Sequence, residues 1–104
     1  MQFSEVNAKG LTRYLVAASL DPQQLRIHIT EVGPGSRSHG AHTHQGAEVF
    51  YVIEGQATVE VEDELYTLGP NEAIALDASR PHGIFNNGSV PIRYMVIISQ
   101  FLPQ

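Results

Sequence analysis

From Leu25 onward, apolar and polar residues alternate with a period of two over most of the chain. Side chains two residues apart share one face of a strand, so this rhythm predicts strands rather than helices. In Leu25–Val32 the odd positions 25, 27 and 29 are apolar, while Arg26, His28 and Thr30 share the other face. Gly33-Pro-Gly35 then breaks the run. Glu48–Glu54 is apolar on both faces: Phe50 and Val52 lie on the side of Glu48, with Val49, Tyr51 and Ile53 opposite. Further short strands are expected at 58–62, 65–68, 73–76, 82–85 and 92–98, separated by Gly55, Asp63-Glu64, Gly69-Pro-Asn, Asp77-Ala-Ser and Asn86-Asn-Gly. Asp21-Pro-Gln-Gln is either a single helical turn or a plain turn. Short strands punctuated by turns predict an all-β sandwich or antiparallel barrel. Parallel α/β architecture would need crossover helices that the pattern lacks.

A length of 104 residues is one domain's worth, and the reading takes 1–104 as a single domain. The 42% apolar content supports a modest core. Eleven acidic and six scattered basic residues leave a net charge of -5. Nucleic acid is therefore not expected as a partner, because no basic cluster matches a phosphate backbone. Without cysteine, thiolate catalysis and disulfides are excluded. The start of the chain lacks a signal-peptide pattern and no apolar run is long enough to span a membrane, so a soluble, cytoplasmic protein is expected.

The candidate chemistry lies in Gly40-Ala-His-Thr-His-Gln-Gly-Ala-Glu48, with His82 some forty residues later. His42, His44 and Glu48 have one parity, so all three can face one interior, with a bulge at Gly46 re-aiming the chain. Three imidazoles and a carboxylate suit a divalent transition metal such as Fe, Mn, Co, Ni or Zn, rather than Mg or Ca. Glu48 also heads a very apolar strand, where an unpaired carboxylate would lose several kcal/mol of hydration. His28 reads as solvent-facing or hydrogen-bonded; His39 reads the same way, with a pocket-rim base as the alternative. Phe50, Phe85, Tyr94 and Met95 read first as core and second as pocket lining. The face bearing Val49, Tyr51 and Ile53 is too apolar for water and predicts packing on another sheet or a homodimer.

The segment from Gly35 through His42-Thr-His44 and Glu48 to Gly55 resembles the first motif of the cupin superfamily, with one extra residue between Gly35 and His42. Gly69 and His82-Gly-Ile-Phe-Asn86 resemble its second motif, although Asp77-Ala-Ser79 replaces the usual Pro-x-Gly and the segment is two residues longer. The resemblance covers about residues 25–98. It implies a double-stranded β-helix (jelly-roll) barrel, often homodimeric, with His42, His44, Glu48 and His82 as metal ligands. It also implies that the N-terminal strands within 1–24, including Phe3 and 11–17, extend a sheet or cross to a partner.

Such a site predicts an oxygenase acting on a small enolic, catecholic or carboxylate substrate with oxygen donors. Phe50, Ile84, Phe85 and Met95 are expected to line its pocket. His39, Tyr94 or a metal-bound hydroxide are the candidate bases, since Glu48 is a ligand. The alternatives are a metal-dependent isomerase or lyase of a sugar acid or similar anion, and a non-catalytic small-molecule or metal binding module.

Overall fold

The computed structural model describes residues 2–100; Met1 and 101–104 of the expected domain lie outside the described residues. Among the described residues nine strands follow in chain order: β1 (Phe3–Glu5), β2 (Leu15–Ala17), β3 (Leu25–Val32), β4 (Ala47–Glu54), β5 (Ala57–Val61), β6 (Glu64–Leu68), β7 (Ala73–Asp77), β8 (His82–Phe85) and β9 (Ile92–Ser99). They form a two-stranded ribbon β1-β2, a four-stranded sheet in the order β3-β9-β4-β7 and a three-stranded sheet in the order β6-β5-β8. Every pairing is antiparallel. The all-β expectation therefore holds, and 21–24 is a plain turn in which Gln23 N–H donates to the Asp21 carboxylate at 2.9 Å.

The expected closed jelly-roll barrel is corrected: all three sheets are open. Period-two patterning determines which face of a strand is buried, but it leaves open whether the outermost strands meet. Here β6 and β7 are separated by a cleft of about 460 Å³ floored by Val61, Ile74 and Leu76. On the other side, 36–46 approaches β8 through a few bonds, among them an isolated bridge between His42 and His82. Side chains, not a continuous hydrogen-bond ladder, join the two larger sheets. Phe50, Val52, Leu76, Ile92, Tyr94, Val96 and Ile98 from one meet Ala57, Val59 and Ile84 from the other in one buried cluster. Burying each large apolar side chain contributes roughly 1.5–3 kcal/mol, which is what holds the stack together.

Strand faces follow the predicted parity in β4 and β5, but β3 departs from it. Thr30 and Val32 are buried and register with Tyr94 and Ile92, so the even positions of β3 face inward. Its apolar odd positions Ile27 and Ile29 lie outside, beside Ile97 and Met95 of β9, which continue to Val49 and Tyr51 of β4. Met95 and Phe85 are only half-buried and sit on outer faces, so neither belongs to the core expected for them. The ribbon pairs with itself instead of joining a larger sheet; the Lys9 carbonyl nearby accepts the Ile29 N–H at 2.8 Å.

Candidate metal centre

Two histidine-bearing segments are held together by backbone. His42 N–H donates to the His82 carbonyl and His82 N–H to the His42 carbonyl, both at 3.0 Å. One step on, His44 N–H donates to the Ala78 carbonyl and Ala78 N–H to the Gly46 carbonyl, both at 2.9 Å. The expected irregularity at Gly46 is present as a left-handed turn with φ +97°, and a Cβ there would lie 1.9 Å from the Ser99 carbonyl oxygen. Only glycine fits, and this turn aims Glu48 inward with Phe50 and Val52. The unusual Asp77-Ala-Ser79 is an Asx-type turn. The Ser79 N–H and hydroxyl both donate to Asp77 Oδ1, at 3.0 and 2.7 Å, and these bonds hold the Asp77 carboxyl below its usual range.

These constraints bring His42, His44, Glu48 and His82 together, with ligand atoms all within 4.8 Å of one another. Glu48 and His82 are buried and His42 and His44 half-buried, so the floor of the cluster is dry and its rim meets solvent. His82 Nδ1 lies 2.8 Å from the Arg80 carbonyl and His44 Nδ1 3.1 Å from the Gln45 carbonyl. A carbonyl only accepts, so each Nδ1 carries the proton. The Nε2 atoms then point at one oxygen, Glu48 Oε1, at 2.7 Å from His44 and 3.2 Å from His82. Two bare imidazole lone pairs facing a carboxylate would repel, so a proton or a metal ion must lie between them. A single proton would serve only one of these contacts, whereas a single divalent ion would satisfy all four donors at once. The donor set therefore fits a divalent metal, and the backbone carbonyls orient the rings as outer partners of metal-bound histidines do. His42 is held below the ordinary imidazole value of 6.5, chiefly by burial, which keeps its ring in the neutral form that a metal requires.

His39 sits on the exposed rim with its ring 4.7 Å from that of His42. Tyr94 is buried, edge-on to Phe50 at 6.1 Å, and its hydroxyl lies 3.4 Å from Ser38 Oγ. Burial holds its phenol above the ordinary value of 10.0, so Tyr94 is a donor and not a base at neutral pH. His28 is half-buried on the inner face of β3 and outside the cluster, lowered by burial and then by Lys9. Of the expected pocket-lining residues, Phe50 and Ile84 face inward, whereas Phe85 and Met95 do not. Ser38 and Arg37 were not signalled by the sequence, because loop residues between Gly35 and Gly40 carry no periodicity to place them.

The sequence profile of the cupin domain matches residues 28–98. The chain belongs to the cupin family. Among solved cupin folds, the cupin domain of an XRE-family transcriptional regulator from Enterobacter cloacae is 23% identical, covers 81% of this chain and 88% of that one, and superposes with a TM-score of 0.68. A sugar phosphate isomerase of the cupin superfamily from Silicibacter pomeroyi is 21% identical, covers 75% of this chain and 52% of that one, and has a TM-score of 0.67. An uncharacterized protein of Methanocaldococcus jannaschii is 27% identical over 73 residues, 70% of this chain. This cupin spans 57% of the length of that relative. Among the described residues no helix is long and apolar enough to cross a membrane.

Proposed function

We propose that this cupin is a metal-dependent oxygenase acting on a small substrate with oxygen donors, with His42, His44, Glu48 and His82 as the ligands. The observation that carries the reading is the pair of Nε2 atoms converging on Glu48 Oε1 with each Nδ1 committed to backbone. Once bound, the ion supplies Lewis acidity, open coordination positions and, if it is iron, redox chemistry. The chain supplies the rest. Tyr94 holds a phenolic proton beside Ser38, able to donate to a substrate oxygen. Phe50 and Ile84 keep water from the inner side. His39 offers Nε2 at the rim for proton exchange with solvent, its Nδ1 lying 3.0 Å from the Gly40 carbonyl.

Proton-transfer chemistry has thinner support. Glu48 is engaged by two imidazoles and Tyr94 stays protonated, which leaves His39 or a metal-bound hydroxide as the base. The similarity to a sugar phosphate isomerase makes isomerisation the second reading. Elemental analysis of the purified protein, followed by oxygen uptake with enediol and catechol compounds, separates them. Iron with substrate-dependent uptake supports the oxygenase. Turnover without oxygen establishes the isomerase or lyase, and ligand binding with no turnover establishes a binding module.

The same reading includes a cytoplasmic homodimer of single-domain chains. Ile27, Ile29, Val49, Tyr51, Met95 and Ile97 form a contiguous apolar outer face across three strands, suited to self-complementary packing.

A further inference from the structure

Residues 36–42 form a strap along the edge of β8 that does not pair with β5, and Arg37 reaches from it onto the outer face of the sheet, where Glu60, Gly83 and Phe85 alternate with the inward Val59, His82 and Ile84. The strap is tied by backbone at its two ends, where Asn86 N–H donates to the Ser36 carbonyl at 2.9 Å and where His42 pairs with His82. Between those ties one long side chain grips the sheet. Arg37 Nη1 donates to Glu60 Oε1 at 2.5 Å, and the guanidinium carbon lies 4.6 Å from the centre of the Phe85 ring. An ion pair that also stacks on an aromatic face has two reasons to hold one geometry. Gly83 lets the parts nest: a Cβ there would come within 2.9 Å of Glu60 Oε1 and 3.4 Å of Ala41 Cα.

We propose that Arg37 is a positioning residue for the metal centre, latching the strap to Glu60 and Phe85 and thereby fixing His42, with its neighbours His39 and Ser38, at the rim of the four-residue cluster. The proposal rests on the four-residue metal centre. Arg37 touches none of the four ligands; it acts through the five-residue path to His42. Without the latch, residues 37–41 keep the weak Ser38–Tyr94 contact, and the His42 ring samples more orientations. The ion then loses affinity through its most exposed ligands, while the buried pair, Glu48 and His82, stays in place.

The test is titration of chelator-stripped protein with Co(II) alone, following the d–d absorption bands and the dissociation rate. Arg37→Ala is expected to bind Co(II) about tenfold more weakly with altered bands. Arg37→Glu combined with Glu60→Arg is expected to recover most of the affinity, which a purely structural loss would not permit. Phe85→Leu removes the aromatic face under the guanidinium and serves if Arg37→Ala fails to fold; it is expected to weaken Co(II) binding, and wild-type affinity there would overturn the latch. Wild-type affinity and spectrum in Arg37→Ala, or no recovery in the charge-swapped double variant, would likewise overturn the latch while leaving the metal centre intact. Failure of the wild type to bind Co(II) would instead overturn the metal centre, and the latch with it.

Discussion

Replacing Glu48 by Gln keeps the shape of the side chain and removes its charge, and so isolates what the carboxylate does. Glu48 is 3% exposed, and its Oε1 lies 2.7 and 3.2 Å from two imidazole nitrogens. A unit positive charge about 3 Å from the carboxylate is worth roughly 5 kcal/mol at an effective dielectric of about 20. Burial of the carboxylate takes back a few kcal/mol, leaving a net of about 3 kcal/mol in favour of the bound ion. That corresponds to roughly a hundredfold in affinity. Metal titration of chelator-stripped wild type and Glu48→Gln measures the difference directly. Thermal melting gives a second reading: at a hundredfold excess over Kd the ion should stabilise the wild type by about 2.7 kcal/mol. For a chain of this length that is a rise of roughly 10–20 °C in Tm. Glu48→Gln should show little of this rise at the same metal concentration. Equal affinity and an equal melting shift in the two proteins would refute the placement of the ion against Glu48.

Three further outcomes are expected. Gly46→Ala places a Cβ 1.9 Å from the Ser99 carbonyl in a backbone with φ +97°, so chemical denaturation should show a loss of at least about 2 kcal/mol together with weaker metal binding. His28 and His42 are both held below 6.5, so the unfolded chain takes up protons that the folded chain refuses. Their contribution to stability is complete above that value and is lost as pH falls through it towards the folded values. The Tm of metal-free protein should accordingly fall across this range, and by less in His28→Gln. Ile97→Lys puts a charge in the middle of the apolar outer face, and light scattering should show monomers against the dimers proposed for the wild type, with metal content unchanged.

The strands were legible because alternation is a local property: Leu25–Val32 and His82–Phe85 were bounded from sequence at the same residues that the structure gives. Three members of the cluster were legible too, since spacing and parity put His42, His44 and Glu48 on one side; His82 was expected from the motif resemblance, and a backbone pairing with His42 forty residues away is what brings it in. Closure was not legible. Whether β6 meets β7 depends on how two sheets stack, and neither strand carries a mark of its missing neighbour. The inner face of β3 was also hidden. Its register with β9 turns His28 and Thr30 inward and Ile27 and Ile29 out, against the ordinary preference for burying aliphatic residues. The strap contacts of Arg37 and Ser38 join residues 23 and 56 positions apart, a distance over which no local pattern carries information.

The seam between β6 and β7 leaves two strands whose backbone could recruit a strand from another molecule. Glu64 stands on one lip and Asp77 on the other, with Asp63 and the Glu62–Arg80 ion pair close by, so acidic groups outnumber the one guanidinium in this lining. An incoming strand would have to carry its own charges into that negative channel, and a second copy of this chain, itself at -5, would bring more of the same sign. Like-charge repulsion thus guards a gap that hydrogen bonds leave unsealed, and it discourages runaway polymerisation through this edge.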